Sequence, residues 1–392
     1  MKYRKMGSLP WKVSALGFGA MRLPSKGFMR GVDEKKAIEI IRFGIEQGIN
    51  YIDTAWIYHL GQSERVLGMA LADGYREKVH VATKLPMFMI RDEDSFDKYL
   101  NQQLDRLRVP CIDLYLFHSM DQGNFAKVKR FNLIDKMEKA RQQGKIKYIG
   151  FSFHDTLPVF REIIDFYSWD MVQVQYNYMD IAIQAGSDGL RYAHEKGIAI
   201  VVMEPVKGGQ LANPPNEARE AMAQAPVSHT PVDWALQFVW NRPEVACVLS
   251  GMGSRKMVEE NCASADASGA GTLSEAELRV VDTLADIYRK KIVVPCTACR
   301  YCMPCPSGVD IPQNFALLNN KAAGAGGNVG SRVKLWLITR NYHKLAKSKK
   351  DLPRKNNRGN ASLCTRCNAC VPKCPQKIQI PDELVKVKTA FR

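Results

Sequence analysis

Over roughly the first 260 residues, short apolar runs alternate with longer stretches whose apolar positions recur every three or four residues. The short runs are Leu16–Met21, Ile49–Asp53, His80–Lys84, Ile112–His118, Tyr148–Ser152, Met171–Gln175, Ile198–Met203 and Ala246–Ser250. They are rich in β-branched and aromatic residues, which fits buried strands. The longer stretches predict helices over Asp33–Gln47, Ser63–Ala72, Asp94–Arg108, Leu133–Gln143, Leu157–Tyr167, Asp188–Lys196, Val232–Trp240 and Arg255–Ala263. Gly48, Gly74, Gly144 and Gly197 follow helical stretches, where a C-terminal cap needs a left-handed residue. Eight strands alternating with eight helices predict an α/β protein with a (β/α)8 barrel. A doubly wound sheet would alternate in the same way. The first strand, however, lacks the Gly-x-Gly-x-x-Gly turn of that fold, and Gly17-Phe18-Gly19 is only a fragment of it.

Beyond the barrel the pattern changes. Ser264–Gly271 is small and polar and marks a boundary. Ser274 and Glu277 form a capping-box sequence that opens a helix running to about Lys291. Two cysteine runs follow. The first is Cys296-x2-Cys299-x2-Cys302-x2-Cys305-Pro306; the second is Cys364-x2-Cys367-x2-Cys370-x3-Cys374-Pro375. Three thiolates from one tight loop and a fourth from elsewhere is the arrangement that holds an iron–sulfur cubane. In two-cluster ferredoxins the fourth cysteine crosses to the other cluster. Crossing here groups Cys296, Cys299, Cys302 and Cys374 on one 4Fe-4S cluster, and Cys364, Cys367, Cys370 and Cys305 on the other. Zinc is the alternative, although it ordinarily takes four ligands in two pairs rather than eight in two triplets with outliers. The expected organisation is a barrel over 1–270, a connecting helix over 271–294, and a small, mainly helical ferredoxin-like iron–sulfur domain over 295–392. That last domain carries a basic insertion over 321–358, and Ala322–Gly330 within it is Gly-rich and expected to be mobile.

Charge sharpens this division. The chain of 392 residues has a net charge of +16, and Lys321–Arg392 supplies +14 of it, with 17 Lys and Arg against 3 Asp and Glu. The densest part is Lys344–Arg358. Such a surface suits an acidic redox partner, a ferredoxin or flavodoxin; partial neutralisation of two anionic clusters accounts for it as well. The run has few aromatics to stack on bases and no nucleic-acid motif. No stretch approaches the ~20 apolar residues of a membrane span. Met1–Met6 leads into no apolar segment of the kind a signal peptide needs. Oxygen-sensitive clusters and the scattered Cys111, Cys247 and Cys262 suit the reducing cytoplasm.

In barrels of this type the chemistry sits at the C-terminal ends of the strands. Those ends carry Asp53, Lys84 and His118, and Tyr58 follows Asp53 in its loop. The four suit carbonyl reduction. Hydride reaching a carbonyl carbon makes an alkoxide, which needs a proton. Tyr58 can give it once the ammonium of Lys84 lowers its pKa from about 10. Asp53 would hold Lys84 charged, and His118 would orient the carbonyl oxygen. Trp56, Ile57, Phe88 and Met89 could wall an apolar pocket beside them, fitting a small carbonyl or quinone-like substrate.

With these residues the chain resembles the aldo-keto reductase family. The carriers are Asn50-Tyr51-Ile52-Asp53-Thr54-Ala55-Trp56-Ile57-Tyr58, Gly61-Gln62-Ser63-Glu64, Thr83-Lys84, Asp113–His118, Gly150-Phe151-Ser152, Gln173–Asn177 and Glu260-Asn261. The likeness covers about 1–265; the remainder is similar to the branch of the family with a C-terminal ferredoxin-type domain. The resemblance implies NADP(H) or NAD(H), with Ser152 and Gln173 on the nicotinamide carboxamide and Glu260 and Asn261 on the adenine. Phe153 stands where the family usually has Asn, and Met203 where a ring usually stacks on the nicotinamide. Met257 stands in place of the 2′-phosphate Arg, and Gly251 in place of a Lys. Arg255 and Lys256 lie close enough in sequence to substitute. A nicotinamide moves two electrons and a cubane one, so a flavin is the ordinary mediator; strand-end loops can hold one without a short signature. Three readings stay open: an NAD(P)H carbonyl reductase with a structural metal domain, an enzyme fed through its clusters, and a module that passes electrons between partners.

Overall fold

The structure, a computed structural model, describes residues 1–25, 31–323, 329–347 and 358–392. By its contacts the chain divides into two compact units. One is Met1–Pro205 with Asp233–Leu273; the other is Val206–Val232 with Ser274–Arg392.

The first unit opens with a hairpin of β1 (Tyr3–Lys5) and β2 (Lys12–Ser14), paired antiparallel. Eight strands follow: β3 (Leu16–Gly19), β4 (Tyr51–Asp53), β5 (His80–Leu85), β6 (Ile112–Met120), β7 (Ile146–Phe153), β8 (Met171–Gln175), β9 (Ala199–Met203) and β10 (Cys247–Ser250). They pair parallel in chain order and close through β10 onto β3, making the expected barrel. Gly19 stands opposite Asp53, Lys84 opposite Leu116, and Ser152 opposite Gln173. Tyr51, Ala82, Leu114, Leu116, Met171, Val201 and Cys247 fill the interior, joined by Met6 and Val13 from the hairpin region.

The hairpin was not expected from the sequence. It closes the end of the barrel where the strands begin: the Ser14 N–H donates to Asn50 Oδ1 at 2.7 Å, just before β4, and Trp11 stacks on His80 at 3.6 Å, at the start of β5. The opposite end, where strands finish, is left for chemistry. A helix over Gln122–Arg130 was also unexpected; it buries only Phe125 and Val128 and has little apolar period to find. The helix starting at Arg255 runs to Ala267, so half of the segment expected as a boundary is helical. Gly48, Gly74, Gly144 and Gly197 all adopt positive φ.

The second unit contains helices over Asn216–Ala223, Glu275–Lys291, Ile311–Ala323, Val329–His343 and Ile380–Ala390. The helix over Asn216–Ala223 is a further one the sequence did not suggest. Ser274 and Glu277 form the capping box in both directions. Val294, Val309, Phe315, Ile338, Tyr342, Leu384, Val387 and Phe391 are among the residues of its core, and Cys296, Cys305, Cys364, Cys370 and Cys374 pack against it. Within the Gly-rich segment 322–330, residues 324–328 lie outside the described residues, as do 348–357 of the basic run. Among the described residues no helix is long and apolar enough to cross a membrane.

Candidate functional site

The barrel's strand ends bring Asp53, Tyr58, Lys84 and His118 together. Asp53 ends β4 and Lys84 lies one residue from the end of β5. The side chain of Lys84 is fully buried, and its Nζ donates to both carboxylate oxygens of Asp53 at 2.7 and 2.8 Å and to the Thr54 carbonyl at 2.9 Å. Its remaining contact is the Tyr58 hydroxyl at 3.3 Å. The ring of His118 meets that of Tyr58 edge to face, centroids 6.1 Å apart. Burial pushes the Asp53 carboxyl up and the Lys84 ammonium down, and each opposes the shift in the other. Burial also pulls His118 well below the usual 6.5, and the nearby Lys84 and His154 pull the same way. At neutral pH the imidazole is therefore uncharged, with one N–H to donate.

A second buried layer holds Lys84 from behind. Glu64 accepts from Thr83 Oγ1 at 2.7 Å, from Gln103 Nε2 at 2.5 Å and from Arg106 at 3.2 Å. Gln103 also donates to the Lys84 carbonyl at 3.1 Å and accepts from the Tyr115 hydroxyl at 2.8 Å. Arg106 lies over the Trp56 ring at 5.0 Å. Glu64 and Thr83 stood in the family-like segments of the sequence. Gln103 and Arg106 sit on the helix Asp94–Leu107, remote in sequence from the strand ends, and nothing in that helix's pattern announced them. Trp56 meets Phe88 edge to face at 6.2 Å, and Phe88 is exposed.

The residues expected on a nucleotide divide into two groups. Ser152, near the end of β7, and Gln173, midway along β8, are adjacent and buried. Ser152 Oγ accepts from the Ser119 N–H at 2.8 Å, and Gln173 hydrogen-bonds Asp53. The Gln173 Oε1 atom is buried with no partner among the described residues. The other group lies beyond β10. Asn261 is buried and donates to Ser250 Oγ at 2.9 Å, Glu260 is exposed and pairs with Lys256 at 3.6 Å, and Arg255 stacks on Phe43 at 3.9 Å while pairing with Glu259. Gly251 packs against Arg22: a Cβ there would come within 2.7 Å of that side chain. Arg22 is exposed, and the sequence had not marked it.

In the second unit Cys374 lies with the cysteines of the first run, and Cys370 lies near thiols of both runs. Cys296, Cys299, Cys302 and Cys374 line one cavity, together with Thr297, Phe315 and Ile380. Cys370 is in the field of Cys305, Cys364 and Cys367. The Ala298 N–H donates to Cys296 Sγ at 3.4 Å. Burial and neighbouring thiols push Cys302 far up and Cys370 up to about 11. Among the described residues no three His, Cys, Asp or Glu converge on a single metal ion.

The two runs also repeat one backbone. Ala298 and Arg300 flank Cys299 with positive φ, and Arg366 and Asn368 flank Cys367 in the same way. After the fourth cysteine, the Gly308 N–H donates to the Cys305 carbonyl as Lys377 donates to Cys374, at 2.9 and 3.0 Å. Each turn continues into an Ile-Pro step, Ile311-Pro312 and Ile380-Pro381, that opens a helix. The repeat is thus longer than the cysteines alone; Cys-Pro-x-x-Val/Ile-x-Ile-Pro was the signal for it.

Two family models match this chain: "Aldo/keto reductase family" over residues 15–285 and "4Fe-4S dicluster domain" over residues 295–379. It is 26% identical over 322 residues to the uncharacterized oxidoreductase YqkF of Bacillus subtilis (strain 168), covering 74% of this chain and 99% of that protein. It is 28% identical over 288 residues to L-galactose dehydrogenase of Arabidopsis thaliana, covering 67% and 88%. Among solved structures, the holo form of aldo-keto reductase AKR11C1 from Bacillus halodurans superposes with a TM-score of 0.62 at 27% identity, over 72% of this chain and 96% of that one. The chain belongs to the aldo/keto reductase family, and is an oxidoreductase of that family with a 4Fe-4S domain following its barrel.

Proposed function

We propose that the barrel reduces the carbonyl of a small apolar molecule by two electrons, delivered as hydride from NADPH or NADH or, one at a time, through the second unit's two 4Fe-4S clusters. The observation that carries the reading is the fully buried Lys84 ammonium, fixed by Asp53 on one side and touching the Tyr58 hydroxyl on the other. A dehydrogenase acting on a sugar hydroxyl among the relatives supports an alcohol–carbonyl pair as the reacting group.

The residues carry out the proton half of the reaction. The Lys84 cation stabilises negative charge on the Tyr58 oxygen, so the phenol releases its proton to the forming alkoxide. Asp53 keeps Lys84 from turning away and offsets part of the cost of burying it. Neutral His118 donates its N–H to the carbonyl oxygen and strengthens that bond as charge develops there. The nicotinamide, when bound, supplies the hydride. Gln173 Oε1, buried and unpartnered, fits the N–H of its carboxamide, with Ser152 beside it. Arg22, Arg255 and Lys256 are the cations for its phosphates. Cys296, Cys299, Cys302 and Cys374 would hold one cluster and Cys364, Cys367, Cys370 and Cys305 the other, each supplying one electron at a time; a flavin would reconcile that count with hydride.

Tyr58→Phe tests the catalytic half. Carbonyl reduction with NADPH should fall by about 10² to 10⁴, with iron content unchanged; retained turnover would remove Tyr58 as the donor. Iron, acid-labile sulfide and flavin measured on anaerobically purified protein test the other half. About eight irons per chain are expected, and zinc in their place would overturn the clusters.

A further inference from the structure

The two cysteine sets are not equivalent in their surroundings. In the first run Thr297 is 2% exposed and Cys302 is buried. The segment that leaves β9 lies directly on this run: Gln210 Nε2 donates to the Cys296 carbonyl, and Gly208 packs so closely that a Cβ would strike the Thr297 carbonyl oxygen. Gly208 also has φ +64, so only glycine fits there without strain. The second run is open. Residues 365–369 are all exposed, Cys367 among them.

The charges differ in the same sense. From Cys296 to Gly308 the one cation is Arg300, and it pairs with the buried Asp310 at 3.6 Å. From Cys364 to Lys377 there are three, Arg366, Lys373 and Lys377, and no acid. All three are exposed; Arg366 is paired with Asp382.

We propose that the second cysteine set is the electron port of the chain, and that the exposed face around Cys367, with Lys373 and Lys377, receives an acidic one-electron carrier protein, while the first set is the interior partner. The inference rests on the reading that these cysteines hold clusters. One-electron transfer falls steeply with distance, so an exposed ligand loop is where a carrier can come close enough. Opposite charge raises the frequency of productive encounters. In each encounter the carrier is oxidised by one electron and the cluster of the second set is reduced by one; no proton or bond changes hands. Two encounters match one hydride equivalent. Lys373 and Lys377 are docking residues, one on each side of Cys374, and they ligate nothing.

The test is stopped-flow reduction of the anaerobic holoprotein by a purified acidic flavodoxin in its hydroquinone form, whose semiquinone absorbs apart from iron–sulfur chromophores. Two results are expected: a second-order rate that falls as salt rises from 20 to 500 mM (about a fivefold shortening of screening length), and a loss of about tenfold or more at low salt in Lys373→Glu/Lys377→Glu. Reduction by methyl viologen radical, a small cation, should not slow in that variant, and Lys35→Glu/Lys36→Glu on the first unit should leave the flavodoxin rate unchanged. A salt-independent rate, or equal losses in the two double variants, would overturn the port. A salt-independent rate on the unaltered protein overturns the port even where a variant fails to fold. Absence of iron would instead sink the cluster reading beneath it, so the two failures are distinguishable.

Discussion

Lys84 gathers the polar groups at the strand ends of the first unit around one atom. Its Nζ, itself fully buried, meets two carboxylate oxygens, a carbonyl and the half-buried Tyr58 phenol. The tetrad was legible because four reactive side chains fell at consecutive strand ends. Glu64, Gln103 and Arg106 were not legible as a unit, because a helix pattern says which face is buried and not which polar group on that face meets a strand end. His118 gives a stability test. Its folded pKa lies well below 6.5, so the unfolded chain takes up a proton on acidification and the folded one does not. Stability is therefore whole above pH 6.5 and lost as pH falls below it. Between pH 7.5 and 5.5 the loss from this group should be about 1.4 kcal/mol. Urea midpoints of the unaltered protein and of His118→Gln, with clusters intact by absorbance, check it: the variant should lose less by that amount.

Elements were recovered where apolar periodicity was strong and missed where it was short. The eight barrel strands are buried runs, and each was found. The β1–β2 hairpin has three residues per strand with exposed positions among them, and its purpose, plugging the barrel's lower end, depends on residues far along the chain. The cysteine repeat was read only as far as its cysteines, because three of the four left-handed residues around Cys299 and Cys367 are Ala, Arg and Arg, types that do not advertise positive φ; only Asn368 does. At this scale the segment over Gly208–Gln210 is the decisive one. Gly208→Ala should displace it from the first cysteine run and lower iron by up to half, with the barrel strands unchanged; iron per chain and the EPR signal of the reduced protein measure this. Full iron with an unaltered signal would show that the close approach has no bearing on the cluster.

At the scale of the molecule, chain order and spatial order part company. Sequence predicted three segments in succession, whereas the segment Val206–Val232 lies between β9 and β10 in sequence yet clusters with Ser274–Arg392. Within that unit Glu217 pairs with Lys291 at 2.8 Å, and Leu211 accepts from the Tyr288 hydroxyl at 3.1 Å. No periodicity could reveal this, since it concerns which surface a loop prefers. A chain ended at Leu273 should therefore be cut readily by trypsin at Arg219, while the full chain resists there; equal susceptibility would count against the segment's dependence on the second unit.

That arrangement also sets a schedule for the protein's birth. A ribosome adding about 5–20 residues per second finishes Val206–Val232 long before it reaches Arg392, 160 residues later. For roughly 3–13 seconds of that time the nascent barrel carries a segment whose packing partners, Tyr288, Lys291, Cys296 and Thr297, have not yet been made. Until the helix Glu275–Lys291 and the first cysteine run have been made, that piece of the barrel's own chain stays open to proteases and chaperones.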